Sequence, residues 1–582
     1  MSHPSMSHPS MSQPFAADVI ISGLGPTGLT LAHCLGKRGH KVIVLEREPV
    51  FYGNARAVYT DDECMRIFQS IGVADRIATR MMPETPVQFV RKDGRVLGQY
   101  RPLKRIFGWP VVNFFYQPYL ETELAELLGR YPNVEVRRGR ELVDFAQDSD
   151  GVTVSHQATQ EVRFGDATAD RVESGAAADV QTLRARYLVG ADGGRSPVRK
   201  KLGIEMTGRN FPEPWLVVDL KRKPGRDGLR HLPYFNFVVD PHLPVVSCVQ
   251  PDGFHRFEFM LMPGMTREWM ERPETVRQLL SDYVDPDDFE VKRKLVYTFN
   301  ALIVKEWRRG RVLLAGDAAH MTPQFMGQGA SSGIRDAYNL GWKLSGVLDG
   351  LFAEAILDSY GRERHGHAKA MIDISVLMKD VVSMTNPLAT LLRDGLMRIA
   401  QSVPALRRWF EEGGFKPGPD YARGQYLGLP RRRRKGPEGT LAPQPEVRLI
   451  GGQRLLLDDM LGDGFALIGF NCDPRDGLDA AACGQLARLG TRFVTLYPYA
   501  GRPQGMTDVP RSVSADLPEV EDLGGHMVAW FRKAGLGAGG IALLRPDRFA
   551  FGLAPAGQAG PLVEALVRQL GGQAAPARRH AA

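Results

Sequence analysis

Two short apolar runs open the ordered pattern of the chain, Asp18-Val19-Ile20-Ile21-Ser22 and Lys41-Val42-Ile43-Val44-Leu45, each the length of a buried strand. Gly23-Leu24-Gly25-Pro26-Thr27-Gly28 follows the first, and apolar periodicity then predicts a helix to about Arg38. Thr60-Asp61-Asp62-Glu63 reads as a capping box that opens another helix. Val111 to Tyr116 is β-like, and a helix from Gln117-Pro118 carries Leu120, Leu124, Leu127 and Leu128 on one face. Val134 to Val136 and Val152 to Val154 alternate like strands, and residues 159–181, rich in Ala, Gly and Asp, read as a loose hairpin or surface insertion. Two more strand-to-turn junctions come later. Tyr187-Leu188-Val189-Gly190-Ala191 delivers Asp192-Gly193-Gly194, with a helix starting near Ser196. Val312-Leu313-Leu314-Ala315 delivers Gly316-Asp317, then a glycine-rich turn at Gly327-Gln328-Gly329 and a long helical pattern. Between these junctions Pro214 to about Leu302 alternates as a sheet. Helical patterns continue through 351–412, a Pro-, Gly- and Arg-rich linker follows to Pro445, and 446–570 reads as βαβ with strands at Phe465–Ile468, Phe493–Leu496 and Ile541–Leu544.

The three junctions carry the candidate chemistry. In the first, Gly23 permits the tight turn, Gly25 lets the backbone approach a pyrophosphate, and Gly28 lets helix and strand pack closely. Glu46 ends the second strand, where an acid can take ribose hydroxyls. Strand, glycines, helix, strand and acid in register make a nucleotide site, and they leave FAD and NAD both open. Arg56 reads either as a phosphate clamp or as a solvated loop cation. Asp192 and Asp317 stand just past strand ends, where a carboxylate can accept hydrogen bonds from ligand hydroxyls, and Gly327 and Gly329 let backbone N–H groups approach a ligand at a helix start.

At 582 residues the chain has room for two to four domains. Its 74 basic and 66 acidic residues leave a charge of +8, which suits anionic ligands as well as nucleic acid and decides little. The basic run Arg431-Arg432-Arg433-Arg434-Lys435 lacks interleaved aromatics and sits in the linker, so it reads as a solvated segment rather than a nucleic-acid site. Five cysteines without a CxxC pair argue against a disulfide scaffold or a zinc ribbon and fit a reducing cytoplasm. The N-terminal Met-Ser-His-Pro-Ser repeat has no apolar h-region and reads as a tail, with Met6 and Met11 as alternative starts. No apolar stretch reaches the roughly 18 residues of a membrane span, so a soluble protein with no membrane partner is expected. No triad or metal cluster stands out, and His365 and His367, two apart on a helix, face different sides.

The fingerprint, Asp192-Gly193 and Gly316-Asp317, in this order and separation, resemble the group A flavoprotein aromatic hydroxylases over about residues 18–370. That resemblance implies an α/β fold: a Rossmann-like FAD-binding domain of glutathione-reductase type at 18–213 with 303–415, and an inserted β-sheet substrate domain at 214–302. A linker at 416–445 and a thioredoxin-like C-terminal domain at 446–570 complete it, with tails at 1–17 and 571–582. It implies FAD held by Gly23, Gly25, Gly28, Glu46, Arg47, Arg56, Gln117, Asp192, Gly316, Asp317, Pro323, Gly327 and Gly329, with Asp317 on the ribityl chain, Pro323 beside the flavin ring and NADH as co-substrate. Cys472 and Cys483 are too far apart for CxxC redox chemistry, so a structural or oligomeric role is expected of the last domain.

Within that family, Phe107-Gly108-Trp109-Pro110, Arg256-Phe257-Glu258-Phe259-Met260, Val296 to Ala301, Arg364 to Asp373 and Arg545-Pro546-Asp547-Arg548-Phe549 resemble a branch acting on 3-hydroxyphenyl acids. Its members ortho-hydroxylate 3-(3-hydroxyphenyl)propionate and 3-hydroxycinnamate. The implied chemistry is reduction of FAD by NADH, addition of O₂ at flavin C4a, and delivery of the distal oxygen of the hydroperoxide beside the phenol OH. His320 and Pro323 are the candidate side chains near the flavin, although His320 reads more readily as a packed residue than as a base. Ala330 and Ser331 stand where relatives carry an aromatic or Asn pair, which keeps a resorcinol-like or polyketide phenol as an alternative substrate. A nicotinamide dehydrogenase would use only the first junction, and a flavin-bearing or basic nucleic-acid-binding regulator would rest on the arginine run. The expected partners are a phenolic acid, NADH and O₂, with a homodimer as a further expectation.

Overall fold

The three junctions meet because their strands are neighbours in one sheet. A computed structural model describes residues 14–51, 56–159, 179–427, 436–449, 451–502 and 517–571. Most of the expected 159–181 insertion and the arginine run lie outside these residues. In the first eight-stranded sheet Ala17–Ser22 lies between Gln181–Gly190 and Val42–Glu46, all parallel, and Val312–Leu314 runs parallel on the far side of Gln181–Gly190. The register pairs Ser22 with Gly190 and Gly190 with Leu314, so the strands end side by side and release their three turns at one edge. Val19, Ile20, Ile21, Leu188, Val189 and Leu313 are fully buried, as expected of a parallel sheet covered on both faces. The helix Pro26–Gly36 packs against the long helix Gln328–Leu348. They approach closely at Gly333, where a Cβ would fall under 3.0 Å from the Thr27 hydroxyl.

The helix start near residue 60 is present, but Asp61 caps it rather than Thr60. Asp61 Oδ1 accepts from the Cys64 amide at 3.1 Å, and the helix runs Asp62–Ser70. Glu63 is drawn away from the cap by Arg335, whose Nε lies 2.5 Å from its carboxylate.

The second eight-stranded sheet is wider than the 214–302 segment. Its order is His320–Met321, Phe289–Val304, Met206–Arg222, Phe254–Met260, Val245–Val249, Phe235–Val238, Val87–Val90 and Val96–Tyr100. Val87–Val90 joins it by running parallel to Phe235–Val238, a pairing between distant segments that local pattern does not reveal. Alternation sorts its two faces. Leu216, Val218, Phe257 and Phe259 pack with Val276 and Leu280 of the helix Pro273–Ser281. Val217, Arg256, Glu258, Arg293 and Leu295 line a cavity on the other face.

The C-terminal sheet has seven strands in the order Arg454–Leu456, Glu446–Leu449, Glu519–Asp522, Arg492–Pro498, Ala466–Phe470, Gly540–Leu544 and Ala550–Pro555. Its core includes Ile468, Val494, Leu496, Ala542 and Leu544. Arg545 anchors it to the rest of the chain, with Nη1 2.6 Å from Glu363 and 2.9 Å from the Gln425 carbonyl.

Candidate functional site

A cavity of about 1150 Å³ runs from the turns at the edge of the first sheet to the polar face of the second. Gly25, Arg47, Arg56, Gln117, Asp192, Asp317, Gly327 and Gly329 all line it. Gly23, Gly28, Gly316, Glu46, Pro323 and His320 do not.

The glycines behind the wall act through packing. Gly23 has φ +104°, and a Cβ there would strike the Ala191 carbonyl, while a Cβ on Gly28 would strike the Gly23 carbonyl. Glu46 is engaged with its own turn: its carboxylate accepts from the Leu24 amide at 2.7 Å and the Glu48 amide at 2.9 Å. Glu48, which sequence reasoning passed over, lines the cavity instead and has a buried oxygen with no partner in the protein. Gln117 positions the loop before it. Its Oε1 accepts from the amides of Arg56 and Ala57 at 2.6 and 2.7 Å, and its Nε2 donates to Glu121 at 2.8 Å.

Asp192 accepts from the Val198 amide at 3.2 Å through Oδ2, and its buried Oδ1 has no partner in the protein. Burial pushes this carboxyl up to about 6. Asp317 opens onto the cavity, and desolvation by the surrounding protein raises its carboxyl above the ordinary range. The Gly316-Asp317 turn rests on Asp336, a residue with no motif to mark it. Asp336 accepts from the Gly316 amide at 2.9 Å, from Arg364 Nε at 2.7 Å, and lies 2.7 Å from His320 Nε2. His320 is thus a fully buried prop beneath the turn, packed on Trp307, and not a cavity-lining base. Pro323 is buried between Thr322 and Gln324, which do reach the cavity.

The opposite wall holds the residues that sequence reasoning missed. Arg256 Nε donates to Asp219 Oδ1 at 2.7 Å, and Arg293 Nε lies 3.0 Å from Asp219 Oδ2, so two guanidiniums share one carboxylate. Arg256 Nη1 also donates to the Arg56 carbonyl at 2.9 Å, linking this wall to the first sheet's loops. Glu258, two residues along on the same face, takes a hydrogen bond from Gln324 of the loop after Pro323. Burial pushes Glu258 up to about 7 against the pull of Arg256. The available signal was parity: Arg256 and Glu258 alternate with Phe257 and Phe259, and charges on one face of a buried strand face something polar or a ligand. Beyond them the lining turns apolar, with Phe235, Phe237, Phe299 and Phe325. Among the described residues no cluster of His, Cys, Asp and Glu could hold a metal ion, and no helix is long and apolar enough to cross a membrane.

A parallel sheet with glycine turns at its edge, joined through one cavity to a second sheet with a charged inner face, is the architecture of flavin-dependent hydroxylases, and the comparisons agree. Residues 16–375 match the family model for an FAD binding domain and residues 439–569 the model for an HcaD C-terminal domain. The chain belongs to this family of FAD-dependent aromatic hydroxylases. Among its relatives, the 3-(3-hydroxy-phenyl)propionate/3-hydroxycinnamic acid hydroxylase of Mycobacterium avium (strain 104) is 40% identical over 550 residues, 94% of this chain and 91% of that protein. The protein of the same name from Klebsiella pneumoniae (strain 342) is 36% identical over 555 residues, 95% of each chain. The fold is shared with the flavin-dependent monooxygenase PieE (TM-score 0.74, 22% identity, 96% of this chain and 99% of that one). It is also shared with aklavinone-11 hydroxylase (TM-score 0.73, 23% identity, with the same coverage).

The cavity fits FAD on its own features. Unpartnered buried oxygens on Glu48 and Asp192 offer acceptors for hydroxyl groups, and Arg47 and Arg56 offer cations. At Gly329 nothing of the protein lies within 4 Å of a Cβ position, which leaves its amide approachable at the start of the long helix.

Proposed function

We propose that this protein is an FAD- and NADH-dependent monooxygenase that hydroxylates 3-(3-hydroxyphenyl)propionate and 3-hydroxycinnamate ortho to the phenol oxygen, giving 2,3-dihydroxyphenyl acids. The observation that carries the reading is the cavity wall opposite the flavin loops, where Arg256 and Arg293 share Asp219 beside a buried Glu258. A phenolic acid needs a cation for its carboxylate and an acceptor for its phenol proton, and this wall offers both. We assign nucleotide binding to the first sheet and its loops and substrate binding to the second. Five free cysteines suit a reducing cytoplasm.

Bound FAD supplies the reduction by NADH and the activation of O₂ that side chains cannot perform. The chain's own residues hold and orient. Arg47 and Arg56 would take phosphate groups, Glu48 would take ribose hydroxyls, Asp192 and Asp317 would accept from hydroxyls of the flavin side chain, and Gly327 and Gly329 would offer backbone amides to the cofactor. Arg293, with Arg256 behind it, takes the substrate carboxylate. Glu258, steadied by Gln324, takes the phenol proton and so increases the electron density of the ring where oxygen is added. Phe235, Phe237, Phe299 and Phe325 keep water from the reacting atoms.

The direct test supplies FAD-loaded protein with NADH, air and 3-(3-hydroxyphenyl)propionate. The 2,3-dihydroxyphenyl acid, identified by mass and ring NMR, is the expected product. NADH oxidation that yields only hydrogen peroxide would reject this phenol as the substrate.

Two variants examine the wall. Arg293→Met should raise KM for the acid by roughly 30- to 100-fold, the loss expected when one partner of a desolvated charge pair is removed. KM for 3-propylphenol, which lacks the carboxylate, should barely change; an equal loss on both substrates would leave Arg293 a structural role only. Glu258 is neutral below about pH 7 and ionised above it, so the ability to accept a proton, and kcat with it, should rise from pH 6 to pH 8. Glu258→Gln should lower kcat by about 100-fold and flatten that rise. A pH profile unchanged in the variant would remove Glu258 from the chemistry.

A further inference from the structure

The helix Pro387–Ser402 is turned inside out. Toward the body of the protein it buries Thr390, Arg393 and Asp394, with Arg393 Nη2 donating to the Val239 carbonyl at 2.8 Å and Arg91 bound to Asp394. Toward solvent it presents Leu388, Leu391, Leu392, Leu396 and Ile399, which are 79, 65, 64, 58 and 61% exposed. Their spacing puts all five on one stripe. Val403, Leu406 and Trp409 extend the patch onto the helix Pro404–Glu411. A surface helix of a solitary protein has the opposite polarity, and a contiguous apolar patch of this size marks an interaction site.

We propose that this face is a two-fold interface between two copies of the chain, with the helices antiparallel and the axis passing between Arg393 and Asp394. The sequence is self-complementary about that point. In this register Leu388 meets Ile399 of the second copy, Leu391 meets Leu396, and Leu392 meets Gly395. Gly395 is what sets this apart from a merely greasy surface. Glycine inside a helix costs about 1 kcal/mol relative to alanine, and nothing in the protomer requires it, since no atom lies within 4 Å of a Cβ there. The second copy requires it, because Gly395 is the hole that receives Leu392. The symmetric register favours a second copy over a lipid surface, although Arg398, Arg407 and Arg408 nearby make anionic lipid the alternative to exclude.

Sedimentation velocity on the FAD-loaded full chain tests this. At about 10 μM, above the micromolar limit of standard-sized protein interfaces, wild type should sediment with twice the 64.4 kDa chain mass. Leu392→Glu and Gly395→Arg should each weaken the dimer by at least about 100-fold, since each drives a charge into an apolar contact. Both should keep bound flavin and wild-type far-UV circular dichroism, and Gly395→Arg guards against misfolding because the protomer leaves open space there. The pair Leu388→Cys with Ile399→Cys should cross-link two copies on oxidation. A monomeric wild type overturns the proposal, and its co-flotation with phosphatidylglycerol vesicles would reassign the stripe to a membrane. A dimer that survives Gly395→Arg also overturns it.

Discussion

Gly28→Val should yield a poorly coloured protein whose affinity for FAD is weakened by up to about 100-fold. A Cβ on Gly28 lies closer than 3.0 Å to the Gly23 carbonyl oxygen and 3.1 Å from its carbon, so the clash is with backbone and no side chain can swing away. The carbonyl is itself fixed. The Gly23 amide donates to the Leu45 carbonyl at 2.8 Å, and on its other side Gly23 is pressed against Ala191. Relief must therefore come from moving the turn or the helix, and either displaces Gly25 and the first amides of Pro26–Gly36 from the cavity. Overpacking of this kind costs about 1–3 kcal/mol. Charged to binding rather than folding, the upper end is about 100-fold. Flavin absorbance after purification and a fluorescence titration with FAD read the effect. Gly484→Val, where nothing lies within 4 Å of the Cβ, is the control that should keep its flavin. Stoichiometric FAD in the Gly28 variant would mean that the turn is not held as described.

Glu363→Ala should destabilise the protein by about 3–5 kcal/mol, the usual cost of removing one partner from a buried charge network. Glu363 accepts from Arg545 at 2.6 and 3.0 Å, Lys343 at 2.6 Å, Asn339 at 2.7 Å and the Gln425 amide at 2.6 Å, all out of contact with water. Burial alone would raise its carboxyl; Arg545 and Lys343 outweigh that and hold it below the ordinary carboxylate range. Its contribution is therefore present at neutral pH and is lost only as pH falls toward that depressed value. The variant strands two cations. Lys343, which burial already pushes down to about 8 with Glu363 present, would fall further. Folding of the variant then releases a proton, so its stability should recover as pH rises toward the ordinary lysine value near 10.5. Differential scanning calorimetry at pH 7 should place the midpoint lower by on the order of 10 °C, with a smaller gap at pH 9.5. A shift below about 2 °C would show that the cations find other partners and that this network does not hold the last domain. The same geometry gives the Arg364 to Asp373 and Arg545 to Phe549 stretches a structural meaning: they clamp Asp336 and Glu363.

The three glycine-rich junctions were legible in the linear sequence because their chemistry is local. A strand end, a glycine turn and a helix start lie within a dozen residues, and each needs particular residue types in a fixed order. Asp192, Asp317, Gly25, Gly327 and Gly329 accordingly line the cavity where strand edges suggested. The likeness to hydroxylases was legible for the same reason. Parity along the second sheet was also written in the chain, although which face lined the cavity was not.

What the tertiary structure alone decided is every role that depends on a partner distant in sequence. Gln117 lines the cavity and at the same time fixes the Arg56 loop. Glu46 is occupied by the Leu24 amide while Glu48 faces the cavity, and His320 props a turn through Asp336. Arg256, Asp219 and Arg293 come from three strands whose pairing is set by long-range register, so no window of sequence contains the cluster. Local order fixes which turns can form, because backbone geometry depends on neighbours in the chain. Which carboxylate is free and which is already hydrogen-bonded depends on where distant groups arrive, and packing settles that.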